Sequence, residues 1–150
     1  MTAINFYILA AHKKLMPFVC QLTQTVLQKS DDSLIIVTPT AVLEPLDERL
    51  WSFSDTAFVP HTVIQTPQDL AQDALASVLL TDNPDLLEGF DGVVMNLTTE
   101  PLLTFVEANV GVKLLEIIAA DELSLVHGRQ KYRHYREQCA EHPLQTFQIN

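Results

Sequence analysis

Short apolar runs alternate along the chain with longer stretches in which apolar residues recur every three or four positions. A short apolar run bounded by turn residues reads as a strand, and the longer spacing as one face of a helix. Ile4 to Leu9 (INFYIL) predicts a first strand, and Ala10 to Lys14 connects it to a helix from about Pro17 to Lys29. Pro17 suits a first turn, and Phe18, Val19, Leu22 and Val26 give that helix a broad apolar face. Ser30 to Ser33 is a loop. Leu34 to Val37 (LIIV) is apolar on both faces, as a buried parallel strand requires, and Pro39 ends it. Pro45 to Phe53 predicts a short helix with Leu46, Leu50 and Phe53 on one face. Trp51 lies about 100° round from Leu50, on the flank, from where so large a ring is expected to reach the core.

Phe58-Val59-Pro60-His61 is extended or turned, because Pro60 restricts the residue before it. Ser77 to Thr81 (SVLLT) is too short for its period to decide, and the preceding TPQDLAQDALA has helical character. Asn83 to Asp91 is a loop and Gly92 to Leu97 a strand. Thr99 is placed to cap a helix from about Glu100 to Asn109, with Pro101 in its first turn and Gly111 just past its end. Lys113 to Ile118 (KLLEII) is the next strand. Glu122 to Glu141 is free of proline and reads as a last helix. This alternation predicts an α/β domain with a largely parallel sheet. A chain of 150 residues without repeats or linkers is read as one domain, residues 1–150.

Composition narrows the class. The content, 47% hydrophobic and 7% aromatic, is that of a globular protein. No apolar run approaches the ~18 residues of a membrane span. The first residues place their charges after the apolar run, unlike an export signal, so Cys20 and Cys139 are expected to be reduced thiols in a cytoplasmic protein. A net charge of -10 argues against general affinity for nucleic acid.

Against that acidity, Arg129, Lys131, Arg133 and Arg136 are four of the nine basic residues and fall within the last helix. At helical spacing Arg129, Arg133 and Arg136 form one stripe, and Gly128, Tyr132, Tyr135 and Cys139 an adjoining, less polar one. Lys131 is expected to point into water. One reading is a solvated basic face with ordinary pairs such as Arg133 with Glu137. The other is an anion site, a row of guanidiniums beside an aromatic rim that suits a carboxylate or phosphate.

Catalytic constellations are missing. The glycines are Gly89, Gly92, Gly111 and Gly128, and none falls in a predicted strand-to-helix turn where backbone amides could cradle phosphate. His12, His61, His127, His134 and His142 make no HExxH pair and no ligand spacing with cysteine. No GxSxG elbow occurs. Asp47 and Glu48 read first as charges favouring a helix N-terminus. No catalytic residue, metal ligand or cofactor is expected.

Three motifs, taken in order and spacing, carry a resemblance. They are the NFYIL strand, the pair LDERLWSF and FVPH (Leu46 to Phe53, then Phe58 to His61), and RQKYRHYR (Arg129 to Arg136). Together the chain resembles, over nearly its whole length, the chi subunit of bacterial DNA polymerase III. The resemblance implies a nucleotide-binding-like, three-layer α/β fold with a mostly parallel five-stranded sheet and no phosphate loop. Ser77 to Thr81 would be its third strand and TPQDLAQD a loop. It implies a noncatalytic accessory subunit of the replicative polymerase, a nucleotidyltransferase complex. Such a subunit binds the acidic C-terminal tail of the single-stranded-DNA-binding protein, and the psi subunit that tethers it to the clamp loader. DNA would be engaged mostly indirectly. By position, Arg129, Tyr132 and Arg133 match the tail-binding helix, with Arg136 on the same stripe. Phe58 matches a pocket aromatic and Ile118 its floor. Leu125 stands where the family member compared has a lysine, and Phe147 lies near an expected aromatic. The other readings are a small nucleotide- or phosphate-binding enzyme using the arginine stripe as its anion site, and direct single-strand DNA binding through Tyr132 and Tyr135.

Overall fold

The computed structural model describes residues 1–52, 60–72 and 78–150, with the backbone alone for 70–72. The expected element ends at Phe53 and Ser77 therefore lie outside the described residues. The chain forms one α/β sheet layer flanked by helices, and every strand pair is parallel. Its strands are β1 (Ala3–Leu9), β2 (Leu34–Val37), β3 (His61–Val63), β4 (Val78–Thr81), β5 (Val93–Asn96), β6 (Lys113–Ile118) and β7 (Leu144–Ile149). They lie in the order β3-β4-β2-β5-β6-β1-β7. Among the described residues the sheet thus has seven strands, not the five expected. The two unforeseen strands are its edges. His61–Val63 is too short to show a period, and LQTFQI of β7 is largely exposed, with no continuous apolar run. Backbone bonds from Ile4 N–H to Pro143 O (2.8 Å) and Ala10 N–H to Ile149 O (2.8 Å) frame the β1–β7 pairing.

The side-chain period of two divides the core. Leu34, Ile36, Val78, Leu80, Met95 and Leu115 face one layer, α1 (Leu15–Lys29) and α2 (Thr40–Ser52), through Val19, Cys20, Leu43, Leu46 and Leu50. Ile35, Val37, Leu79, Val94, Leu114 and Ile118 face the other, α4 (Leu103–Ala108) and α5 (Glu122–Gln138), through Phe105, Val106, Tyr135 and Cys139. Right-handed crossovers require this division: the chain moves toward the β3 edge after β1 and β2, and toward the β7 edge after later strands.

Several boundaries differ from expectation. α2 begins at Thr40, so Pro45 lies inside it. There it deprives only a first-turn carbonyl of a partner. Thr66 and Asp69 form a reciprocal cap: Asp69 N–H donates to Thr66 Oγ1 (3.1 Å) and Thr66 N–H to Asp69 Oδ2 (3.1 Å). They open a short helix, α3 (Pro67–Gln72), where the resemblance implied a loop. Pro84–Leu87 makes a 3-10 turn capped by Asn83 within the expected loop. α4 starts at Leu103, not Glu100, and Thr99 does not cap it. Asn109 takes the left-handed conformation at its end (φ 55°). Gly111 has another use, since a Cβ there would sit 2.2 Å from the Phe105 ring.

Trp51 is 53% exposed, against the expected burial. Leu43, Leu46 and Leu50 fill the inward face of α2, and the indole stays on the flank against the His61 ring, centroids 4.6 Å apart. His61 Nε2 lies 2.9 Å from Asp47 Oδ1.

Candidate functional site

The last helix is built to stand firmly on β6. Asp121 caps it, accepting Ser124 N–H at 2.9 Å and the Ser124 hydroxyl at 2.6 Å, and these bonds hold the Asp121 carboxyl below its ordinary pKa. Glu122 in the first turn and Arg136 in the last complement the helix dipole. Gly128, Lys131 and Tyr135, at i, i+3 and i+7, form the buried line against the sheet.

Lys131 corrects the sequence reading: it is 2% exposed, not in water. Its ammonium donates to Glu116 Oε1 (2.7 Å) and to the Thr98 carbonyl (2.9 Å). Glu116 Oε2 accepts the Tyr135 hydroxyl (2.6 Å) and the Asn96 amide (2.9 Å). The Tyr135 oxygen in turn accepts Leu102 N–H at 2.8 Å, so its proton is committed to Glu116. Asn96 Nδ2 also donates to the Glu100 carbonyl (2.8 Å), and Thr98 N–H to Asn96 Oδ1 (3.0 Å). The expected Thr99-capped helix is thereby replaced by a backbone segment, 98–102, held by side chains from β5 and α5. Burial pushes the Glu116 carboxyl up, opposed by the Lys131 charge and by the donors around it. Burial and the Glu116 charge push Tyr135 well above its ordinary pKa.

The adjoining face of α5 opens on a groove of about 780 Å³. Phe6 and Ile8 of β1, Ile118 of β6 and Leu125 of α5 supply apolar lining, and Thr146 of β7 lines it as well. Tyr132 stands edge-on to Phe6, ring centroids 5.4 Å apart at 67°. Arg129, Arg133 and Arg136 line the groove and are exposed, with Glu137 beside them. Among the described residues the close contacts between basic side chains and carboxylates are His61–Asp47 and Lys131–Glu116, so the Arg133–Glu137 pair of the solvated-face reading is not formed. The three guanidiniums keep their charge available over an apolar floor. The arrangement can hold an anionic group at the rim and a hydrophobic one below it.

Of the residues singled out from sequence, the structure brings Ile118, Arg129, Tyr132, Arg133 and Arg136 around this one groove. Phe58 lies outside the described residues. Sequence reasoning missed Phe6, Ile8 and Thr146, because only the β6-β1-β7 pairing brings them beside α5. It also missed the Glu116–Lys131 pair, whose signal was a carboxylate in the middle of the apolar strand KLLEII.

None of the four glycines lies between a strand and the helix that follows it, and the β1-to-α1 turn, Ala10 to Lys14, has none. Lys14 caps α1 without a side-chain hydrogen bond. Among the described residues, no cluster of three or more His, Cys, Asp or Glu side chains is placed to hold a metal ion. No described helix is long and apolar enough to cross a membrane.

Comparison with known proteins agrees with the motif resemblance. Residues 1–142 match the family model described as DNA polymerase III chi subunit, HolC. The DNA polymerase III subunit chi of Pseudomonas aeruginosa is 29% identical over 157 aligned positions, covering 99% of this chain and 98% of the relative. With the parallel α/β sheet, the ordered motifs and a family match over nearly the whole length, the chain belongs to the DNA polymerase III chi subunit family.

Proposed function

We propose that this chain is a noncatalytic, cytoplasmic adaptor of the replicative polymerase. It binds the acidic C-terminal tail of a single-stranded-DNA-binding protein in the α5 groove and joins that protein to the clamp loader through a psi subunit. The observation that carries the reading is the groove itself, where Arg129, Arg133 and Arg136 edge an apolar floor of Phe6, Ile8 and Ile118. A peptide that is acidic and ends in an aromatic residue matches both halves. Its terminal carboxylate meets the guanidiniums of Arg129 and Arg133, and its ring lies against Tyr132 and Ile118. DNA is engaged mostly through the tail-bearing partner, because the net charge of -10 repels phosphate over the rest of the surface.

Magnitudes fit a transient contact. Two charge-assisted hydrogen bonds contribute ~1.5–3 kcal/mol each. A buried phenylalanine ring contributes about as much as one of them. Ordering a flexible tail subtracts several kcal/mol. The expected affinity is on the order of micromolar or weaker. Titration with an acidic peptide ending in Asp-Ile-Pro-Phe, with and without the final phenylalanine, tests the reading. The intact peptide is expected to bind and the truncated one to bind much more weakly. Equal binding of the two would exclude the apolar half of the site.

A further inference from the structure

A second groove, of about 900 Å³, shares no lining residue with the arginine groove. One wall is the Pro84–Leu87 turn with the residues just after it, and the other is the 98–102 segment with α4. Its floor is apolar. Leu87, Leu102 and Phe105 belong to the buried core on the α5 side of the sheet, and Phe90 and Leu103 are half-buried against them. Val110, which also lines the groove, is 50% exposed. The walls are held by the protein's own polar groups. Asn83 Oδ1 accepts Asp85 N–H at 3.1 Å and so caps the turn. The Thr98 carbonyl accepts Lys131 (2.9 Å), the Glu100 carbonyl accepts the Asn96 amide (2.8 Å), and Leu102 N–H donates to the Tyr135 hydroxyl (2.8 Å). Those backbone groups are occupied, so the wall offers little to an added strand, and recognition falls to side chains.

Charge decides the occupant. Asp85, Glu88 and Glu100 line the groove and are exposed. Among the described residues no basic side chain lines it, and none of the three carboxylates has a basic partner within ion-pair distance. The arginine groove has the opposite sign, so a ligand suited to that one is repelled from this one, as is nucleic acid. We infer that this acidic groove docks a segment of a partner protein, an amphipathic helix with one apolar face flanked by lysine or arginine. The apolar face covers Phe90, Leu103 and Val110, and the flanking cations meet Asp85, Glu88 and Glu100. The inference does not depend on the tail reading, since the two grooves have no residue in common.

The test titrates the protein at low salt with a synthetic peptide of lysine, leucine and alanine whose leucines recur at i, i+3, i+4 and i+7, and with a scrambled peptide of the same composition. Both carry the same charge, so general attraction to an acidic protein cancels. The wild type should bind the patterned peptide about tenfold or more tighter, because it alone presents a continuous apolar face. Glu88→Lys with Glu100→Lys should weaken the patterned peptide by about tenfold, two exposed charge pairs becoming two repulsions. Both side chains are exposed, so the thermal midpoint should hold. Val110→Glu, also at an exposed position, should weaken the same peptide through the apolar face and decides the matter if the charge-reversed protein does not fold. Arg129→Ala should bind it as the wild type does. Equal binding of the two peptides by the wild type would overturn the inference. So would unchanged affinity in either folded variant of this groove, or weaker binding by Arg129→Ala. A wild-type dimer in sedimentation that the charge reversal abolishes would overturn it as well, because the occupant would then be the arginine helix of a second copy.

Discussion

Lys131 Nζ lies 2.7 Å from Glu116 Oε1, and both side chains are buried between α5 and β6. The pair fixes the helix that carries the arginine rim and, through Thr98, the 98–102 segment beside it. Removing one partner leaves an uncompensated buried charge, which costs about 3–5 kcal/mol. Lys131→Met should therefore lower unfolding stability by about that amount in a urea titration. Lys131→Met combined with Glu116→Leu should lose less than Lys131→Met alone, since no lone charge remains. A single-variant loss under about 1 kcal/mol would contradict the arrangement.

Stability should fall on the alkaline side. Burial raises the thiols of Cys20 and Cys139 above their ordinary 9.0, and burial with the Glu116 charge raises Tyr135 well above 10.0. The folded chain holds these protons while the unfolded chain releases them. Their contribution is therefore fully present below about pH 9 and is lost as pH rises through the folded-state values. Thermal midpoints recorded upward from about pH 8 should drop progressively above 9, and Cys20→Ala should flatten the early part of the drop. A midpoint constant to pH 10.5 or so would oppose these shifts.

Trp51 should matter little to stability. Its indole is half exposed and leans on His61 outside the core. Trp51→Ala should cost about 1 kcal/mol or less in denaturant titration, against about 3–5 for a core aromatic. A loss in the upper range would place the ring in the core after all.

Leu125 lies one helical turn before Arg129, on the groove. Leu125→Lys adds a cation at the rim. For the acidic tail peptide this should tighten binding by about two- to fivefold at low salt, the gain of ~0.5–1 kcal/mol expected for an exposed charge pair. The gain should shrink as salt rises. Equal affinity of the two proteins at low salt would argue that the peptide's acidic residues do not pass this turn.

The central strands and α5 were legible because their patterns are strong: LIIV, GVVMNL and KLLEII are nearly all apolar, and Glu122–Gln138 has no proline. The edges were not. β7 exposes most of its residues, and only its pairing with β1, which lies far away in sequence, makes it a strand. The arginine stripe was readable from helical spacing alone, because Arg129, Arg133 and Arg136 are local to one element. The floor under it was not, since Phe6 and Ile8 reach α5 through the sheet order. The burial of Lys131 is not legible locally, because a lone lysine is normally solvated and its tether, Glu116, sits fifteen residues away on another element. Trp51 stays on its flank position despite its size, because three leucines already fill the inward face of α2.

The groove's role as a tail site is tested most directly by one substitution. Arg129 is exposed and, among the described residues, in no ion pair, so Arg129→Ala should leave the thermal midpoint unchanged. Calorimetric titration of wild type and Arg129→Ala with the acidic peptide ending in Asp-Ile-Pro-Phe is the measurement. Loss of one charge-assisted contact of ~1.5–3 kcal/mol predicts about a tenfold or greater loss of affinity. Binding by Arg129→Ala at wild-type strength would contradict the assignment of the α5 groove to the tail.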